Sequence, residues 1–193
     1  VKPQMMRQAL APLRKYLRDF KPLLITMAAG LEITTIQDLA GAELPVIRIM
    51  PNTPVLVGKG MTLYCCNDLV EEETLEDFLD DMAFTGHMDE IAEHLIDSAG
   101  VVSGCGPAYM YMFAEALADG AVACGVPRKK ALEYAAATLA GAGEIMLQTG
   151  KHPGELKDAV CSPGGSTIAG LRALEQHGFR AAAIDCVHAT YNK

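Results

Sequence analysis

Apolar residues recur at steps of three and four between Arg7 and Phe20, where Leu10, Leu13, Leu17 and Phe20 fall on one side and Arg14, Lys15, Arg18 and Asp19 lie among them. That period predicts an amphipathic helix, with Pro12 in its first turn. The pattern then becomes continuous. Leu23-Leu24-Ile25-Thr26 and Pro45-Val46-Ile47-Arg48-Ile49-Met50 are short apolar runs, each closed by turn residues, Ala28-Ala29-Gly30 after the first and Pro51-Asn52-Thr53-Pro54 after the second. Such runs predict buried strands, and Ile33 to Leu39 between them predicts a helix capped near Thr34 or Thr35. Met61 to Cys66 predicts another strand, and Glu71 to Met82 a helix with an acidic, solvated face. Strands alternating with helices imply parallel pairing, with ligands gathering at the carboxyl ends of the strands, where Ala28 and Asn52 fall.

The pattern changes near Ile96. Gly100 to Pro107 holds three glycines and a proline, and beyond it the chain reads as helices: Ala108 to Cys124, Arg128 to Gln148, Pro153 to Val160, Thr167 to Gln176 and Arg180 to Ala189. The first of these is apolar on nearly every side, with Met110, Phe113, Leu117 and Ala121 on one face and Tyr109, Met112 and Ala116 on another. A domain of about a hundred residues has little interior in which to bury such a helix, so a second subunit is expected to cover it. The fold class is therefore α/β followed by all-α.

Composition narrows the functions. A net charge of −8 over 193 residues, with no cluster of Lys and Arg, argues against nucleic acid as a partner. Cys65 and Cys66 are adjacent, Cys105, Cys124, Cys161 and Cys186 are scattered, and five histidines are equally dispersed, a usage that suits a reducing cytoplasm and gives no metal-ligand spacing. No apolar run reaches the roughly 18 residues that a membrane span needs. Small molecules and copies of the chain itself are the expected partners.

One stretch concentrates chemistry. Cys161-Ser162-Pro163-Gly164-Gly165-Ser166-Thr167 interrupts the helices and starts a new one. Two glycines allow positive φ angles, and the unpaired amides of a helix start suit a carboxylate or phosphate. The same residues also read as a helix cap after a Pro-Gly turn, with Ser166 or Thr167 capping. Cys105 and Cys161 have no neighbouring His or Lys in sequence, which disfavours nucleophilic catalysis.

The run from Pro153-Gly154-Glu155-Leu156 through Cys161-Ser162-Pro163-Gly164-Gly165-Ser166-Thr167-Ile168-Ala169-Gly170-Leu171 to Glu175 closely resembles the signature of pyrroline-5-carboxylate reductases. Val1-Lys2-Pro3-Gln4, Ala28-Ala29-Gly30, Arg48 to Pro54 and Gly104-Cys105-Gly106-Pro107-Ala108-Tyr109 resemble further segments of that family in order, with Cys105 where the family usually has serine. The resemblance implies reduction of 1-pyrroline-5-carboxylate to L-proline with NADPH or NADH, by a homodimer or higher oligomer in the cytoplasm. It implies that Gly164, Gly165, Ser166 and Thr167 bind the substrate carboxylate through backbone amides, that the Thr167 hydroxyl faces the ring nitrogen, and that Ser162 positions water. Val1, Lys2, Pro3, Met27, Ala28, Ala29 and Asn52 match positions lining the dinucleotide. Residues 1–97 are then the C-terminal part of a Rossmann-like domain, without the strand and glycine-rich turn that open it in the family, and 98–193 a helical dimerisation and substrate-binding domain. The rival expectations are a different NAD(P)-dependent dehydrogenase, which should lack the Ser162 to Leu171 signature, and a non-catalytic dimerisation or carboxylate-binding module.

Overall fold

Four strands, β1 (Leu24–Thr26), β2 (Val46–Met50), β3 (Gly60–Cys66) and β4 (Gly86–Glu90), form one sheet in chain order in the computed structural model, which describes residues 1–193. β1 pairs with β2, and β3 with β4, in parallel, whereas β2 and β3 are antiparallel, with Ile47 opposite Cys66 and Met50 opposite Leu63. This corrects the expectation of parallel pairing throughout. The link from Met50 to Gly60 holds only the short 3-10 turn Thr53–Val57, and a parallel return needs a crossover of about a dozen residues. β4, polar and half exposed, carries no apolar alternation by which it could be read from sequence.

Alternating side chains along β2 serve two layers. Val46 packs with Leu63, Cys65 and the helices α1 (Met6–Leu10), α2 (Arg14–Phe20), α3 (Ile33–Ala40) and α5 (Glu93–Ser103). Ile47 and Ile49 pack with Tyr64 and with Phe78 of α4 (Glu72–Met82). Pro12 falls in a 3-10 turn, Ala11–Leu13, between α1 and α2, and so interrupts the amphipathic segment instead of opening it. Proline has no amide to donate and crowds the carbonyl four residues back. Helix α3 begins at Glu32 without any side-chain cap of its own, so neither Thr34 nor Thr35 caps it.

The chain divides into compact units Val1–Pro107 and Ala108–Lys193, ten residues beyond the expected 97/98 division. The shift is α5. Its Ile96 is fully buried in the first unit's core, and its Gly100 lies so close to Met50 that an added Cβ would sit 3.2 Å from the sulfur. Glycine at 100 thus marks close packing inside a helix and not a break.

Helix α6 (Gly106–Ala123) leads into the second unit, followed by α7 (Arg128–Thr149), α8 (Pro153–Ala159), α9 (Ser166–Gln176) and α10 (Phe179–Tyr191). Its buried apolar residues are Ala118, Ala131 and Ala135. The Tyr109 hydroxyl donates to Thr190 Oγ1 at 2.6 Å, Thr190 in turn donates to the Cys186 carbonyl at 2.8 Å, and the Phe113 and Phe179 rings lie 5.4 Å apart, tying α6 to α10. No helix is long and apolar enough to cross a membrane.

Candidate functional site

In the first unit, two loops leave the carboxyl ends of neighbouring parallel strands. After β1 come Met27, exposed, Ala28, buried, and Ala29 and Gly30, exposed. Ala28 N–H donates to Thr26 Oγ1 at 3.3 Å, which folds the backbone back over the strand end. Gly30 takes φ +72°, and an added Cβ there would meet nothing within 4 Å, so the space above the turn is open. After β2, Asn52 is half-buried and both ends of its amide are engaged: Nδ2 donates to the Ser103 carbonyl at 2.9 Å and Oδ1 accepts from Met61 N–H at 2.9 Å. Asn52 therefore fastens its loop to α5 and β3. Val1 and Lys2 are exposed, and Pro3 is half-buried at the start of the 3-10 turn Pro3–Met5.

Beneath these loops lies a buried charge. Arg48, 1% exposed, stands opposite Thr26 in the sheet register, and its Nη2 donates to both carboxylate oxygens of Asp97, at 2.7 and 2.8 Å. Its Nη1 donates to Glu93 Oε1 at 3.4 Å. The same Glu93 oxygen accepts from Ile33 N–H at 2.6 Å, and Asp97 Oδ1 accepts from Gly30 N–H at 3.4 Å. Glu93 thus supplies the cap that α3 lacks. Neither acid was singled out from the sequence, although the signal was present: a lone arginine inside an apolar strand demands carboxylates, and Glu93 and Asp97 are one helical turn apart. Cys65, 6% exposed on the neighbouring strand, has its thiol pushed up to about 11, first by burial and then by the Glu93 carboxylate.

In the second unit, Ser162 to Gly165 is a tight turn with Gly164 at φ +68°, a left-handed conformation that glycine adopts freely. Gly165 is the N-cap of α9, and no side chain caps the helix. Ser166 and Thr167 are therefore the first and second helical residues, and the capping reading of both is corrected. A side chain already inside the first turn points away from the amides that a cap would meet. A second correction concerns Gly165, whose N–H donates to the Ser162 carbonyl at 3.0 Å and so has no free donor for an anion. What position 165 requires is the missing side chain, since a Cβ there would lie 2.5 Å from Ser162 Oγ. Helix geometry leaves the amides of Ser166 and Thr167 without an intrahelical acceptor, and both residues are exposed, as is Ser162. Two shallow depressions of about 400 Å³, one at Cys65, Cys66 and Glu93 and one at Thr34, Gln37 and Gly41, hold none of these residues.

Open loops at parallel strand ends in an α/β unit, followed by an all-helical unit with an uncapped helix start, define the class as a two-unit α/β and all-α protein with ligand-accessible loops. A family model described as pyrroline-5-carboxylate reductase dimerisation matches residues 93–193. The pyrroline-5-carboxylate reductase of Escherichia coli K12 is 43% identical over 187 residues, which cover 97% of this chain and 69% of that protein. The crystal structure of Plasmodium falciparum pyrroline carboxylate reductase with NADP bound aligns with a TM-score of 0.90 at 35% identity, over 100% of this chain and 75% of that one. The Coxiella burnetii enzyme aligns with a TM-score of 0.90 at 30% identity, over 100% and 72%. The chain belongs to the pyrroline-5-carboxylate reductase family.

Proposed function

We propose that the protein reduces 1-pyrroline-5-carboxylate to L-proline, the final step of proline biosynthesis, with NADPH or NADH as donor. The observation that carries this reading is the open start of α9, where Gly165 caps without a side chain and the exposed amides of Ser166 and Thr167 face no protein acceptor. A ring carboxylate is the anion that such a corner holds, strengthened by the positive end of the helix dipole. Gly164 turns the chain into the corner, and Gly165 keeps it open. With the carboxylate fixed, the Thr167 hydroxyl hydrogen-bonds the ring nitrogen and orients the imine, and Ser162 positions water beside it. The nitrogen is protonated before reduction, so its positive charge is lost as the amine forms. A neutral hydroxyl partner serves both states.

A nicotinamide dinucleotide fits the first unit's loops, since Ala28 and Ala29 keep side chains out of the way and the space over Gly30 is open. When bound, it supplies the hydride that adds to the imine carbon. Met27, Ala28 and Ala29 would line it, with Val1, Lys2 and Pro3 along its length. Asn52 contributes by holding its loop, because its amide is already committed to Ser103 and Met61. Self-association through the helical unit completes the reading, as a homodimer or a larger oligomer in the cytoplasm.

The test is Thr167→Ala, assayed by NADPH oxidation with the imine. The expected result is a fall in kcat/KM of about tenfold to a thousandfold with the fold intact by circular dichroism, the loss of one or a few well-placed hydrogen bonds. Unchanged kinetics would remove Thr167 from the reaction.

A further inference from the structure

The two loops read as lining the dinucleotide are not held by one another. Both are held by α5. At its amino-terminal end, Asp97 accepts from Gly30 N–H and Glu93 accepts from Ile33 N–H, which fixes both ends of the segment joining the β1 turn to α3. At its carboxyl end, the Ser103 carbonyl accepts from Asn52 Nδ2. Between them, Arg48 reaches up from β2 and orients both acids: two short bonds to Asp97 and a longer one to Glu93.

A buried guanidinium needs a carboxylate partner, and Nη2 meeting both Asp97 oxygens holds that carboxylate in place. Asp97 itself is half exposed, its side chain 49% accessible, and its Oδ1 also meets Gly30 N–H, so the pair links the buried arginine to the β1 turn. Its oxygens also determine where the Gly30 amide points, and Gly30 ends the turn whose backbone is left open.

We propose that Arg48 and Asp97 are positioning residues for the dinucleotide: Arg48 fixes Asp97, and Asp97 holds the Ala28-Ala29-Gly30 backbone against which the dinucleotide lies. The inference rests on the reading of that turn as a cofactor wall. It assigns no chemical step to either residue. Its consequence is a cost in cofactor affinity, with KM for the imine little changed.

The experiment compares Asp97→Ala, Asp97→Asn and Ala29→Leu with the unaltered protein, by titrating NADPH fluorescence for Kd, by steady-state KM for NADPH and for the imine, and by Tm. Asp97→Ala is expected to raise Kd and KM for NADPH about tenfold, the effect of losing one hydrogen bond to a charged group, with KM for the imine within twofold. Asp97→Asn keeps a carbonyl oxygen for Gly30 N–H and should recover at least half of that loss on a logarithmic scale. A drop in Tm with Kd for NADPH unchanged would make the pair merely structural and overturn the proposal. Ala29→Leu separates the two levels. If it weakens NADPH binding while both Asp97 variants bind normally, the positioning role falls and the cofactor wall stands; if NADPH binding ignores Ala29→Leu, the wall itself falls and the proposal with it. Should Asp97→Ala fail to fold, Arg48→Lys takes its place, keeping a cation but losing the two-point hold on Asp97, and an Arg48→Lys protein that binds NADPH normally with unchanged Tm counts against the role.

Discussion

The two units of this chain treat their apolar residues in opposite ways. In the first, α1, α3, α5 and the sheet enclose side chains such as Ile36, Leu44, Val46 and Ile96, all fully buried. In the second, the buried residues are three alanines, while Met112 is 75% exposed and Leu147 is 77% exposed. At roughly 25 cal/mol for each Å² of apolar surface buried, three alanines cannot offset the ordering of five helices. The helical unit leaves its large apolar side chains on its surface, and it is this unit that matches a family model described as dimerisation. The α/β unit gets its uniqueness from within, including from a buried arginine; the helical unit gains it only if the proposed second copy covers those faces.

If that contrast is right, surface changes should damage the second unit as core changes damage the first. The double substitution Met112→Glu and Leu147→Glu puts two carboxylates on exposed apolar positions, and in a buried interface it should weaken self-association at least a thousandfold, from about 4 kcal/mol of uncompensated desolvation. Analytical ultracentrifugation over a range of concentrations reads it, and an unchanged sedimentation coefficient would show that these faces are not the covered ones. Next in size is Arg48→Met, which keeps the volume but leaves Asp97 and Glu93 without their cation. A loss of about 3 kcal/mol is expected, at the low end for a broken buried pair because both acids reach solvent. Its urea midpoint should be independent of protein concentration. A concentration-dependent loss would place Arg48 in the association surface and break the contrast.

What was legible in the sequence divides along the same line. β2 and β3 announce themselves because both of their faces are covered and apolar, β1 because its run is apolar although Ile25 is exposed, and the helices of the second unit because their small and apolar residues have no other use. β4 stayed hidden since it is short and its exposed residues, such as His87 and Asp89, alternate with no apolar run, and α5 because Gly100 reads as a break until Met50 is seen against it. The candidate site was legible wherever backbone chemistry defines it, at Gly164 and in the Ala28 turn. It was illegible wherever a side chain reaches across more than forty residues, as Glu93 and Asp97 do to Ile33, Gly30 and Arg48. Local pattern says that an arginine will be buried, and only tertiary structure says which acids receive it.

The smallest expected effect tests whether the first unit is as closed as the comparison holds. In the unfolded chain the Cys65 thiol titrates near 9.0, whereas in the fold burial, and after it the Glu93 carboxylate, push it up to about 11. Between those values the unfolded chain releases a proton that the folded chain keeps. The stabilisation from holding the thiol neutral is complete below pH 9 and is lost as the pH rises through about 11, a change of roughly 2 kcal/mol. Tyrosines and lysines titrate in the same window, so the quantity to measure is a difference: the urea stability of the protein minus that of Cys65→Ala, at pH 8 and at pH 11. The substitution removes the titrating group at the cost of a small cavity whose penalty does not depend on pH. The gap between the two proteins should therefore narrow or reverse by roughly 2 kcal/mol as the pH rises. A constant gap would mean that the thiol meets water in the folded state, and that the sheet beside Arg48 opens as readily as the helical unit's uncovered faces.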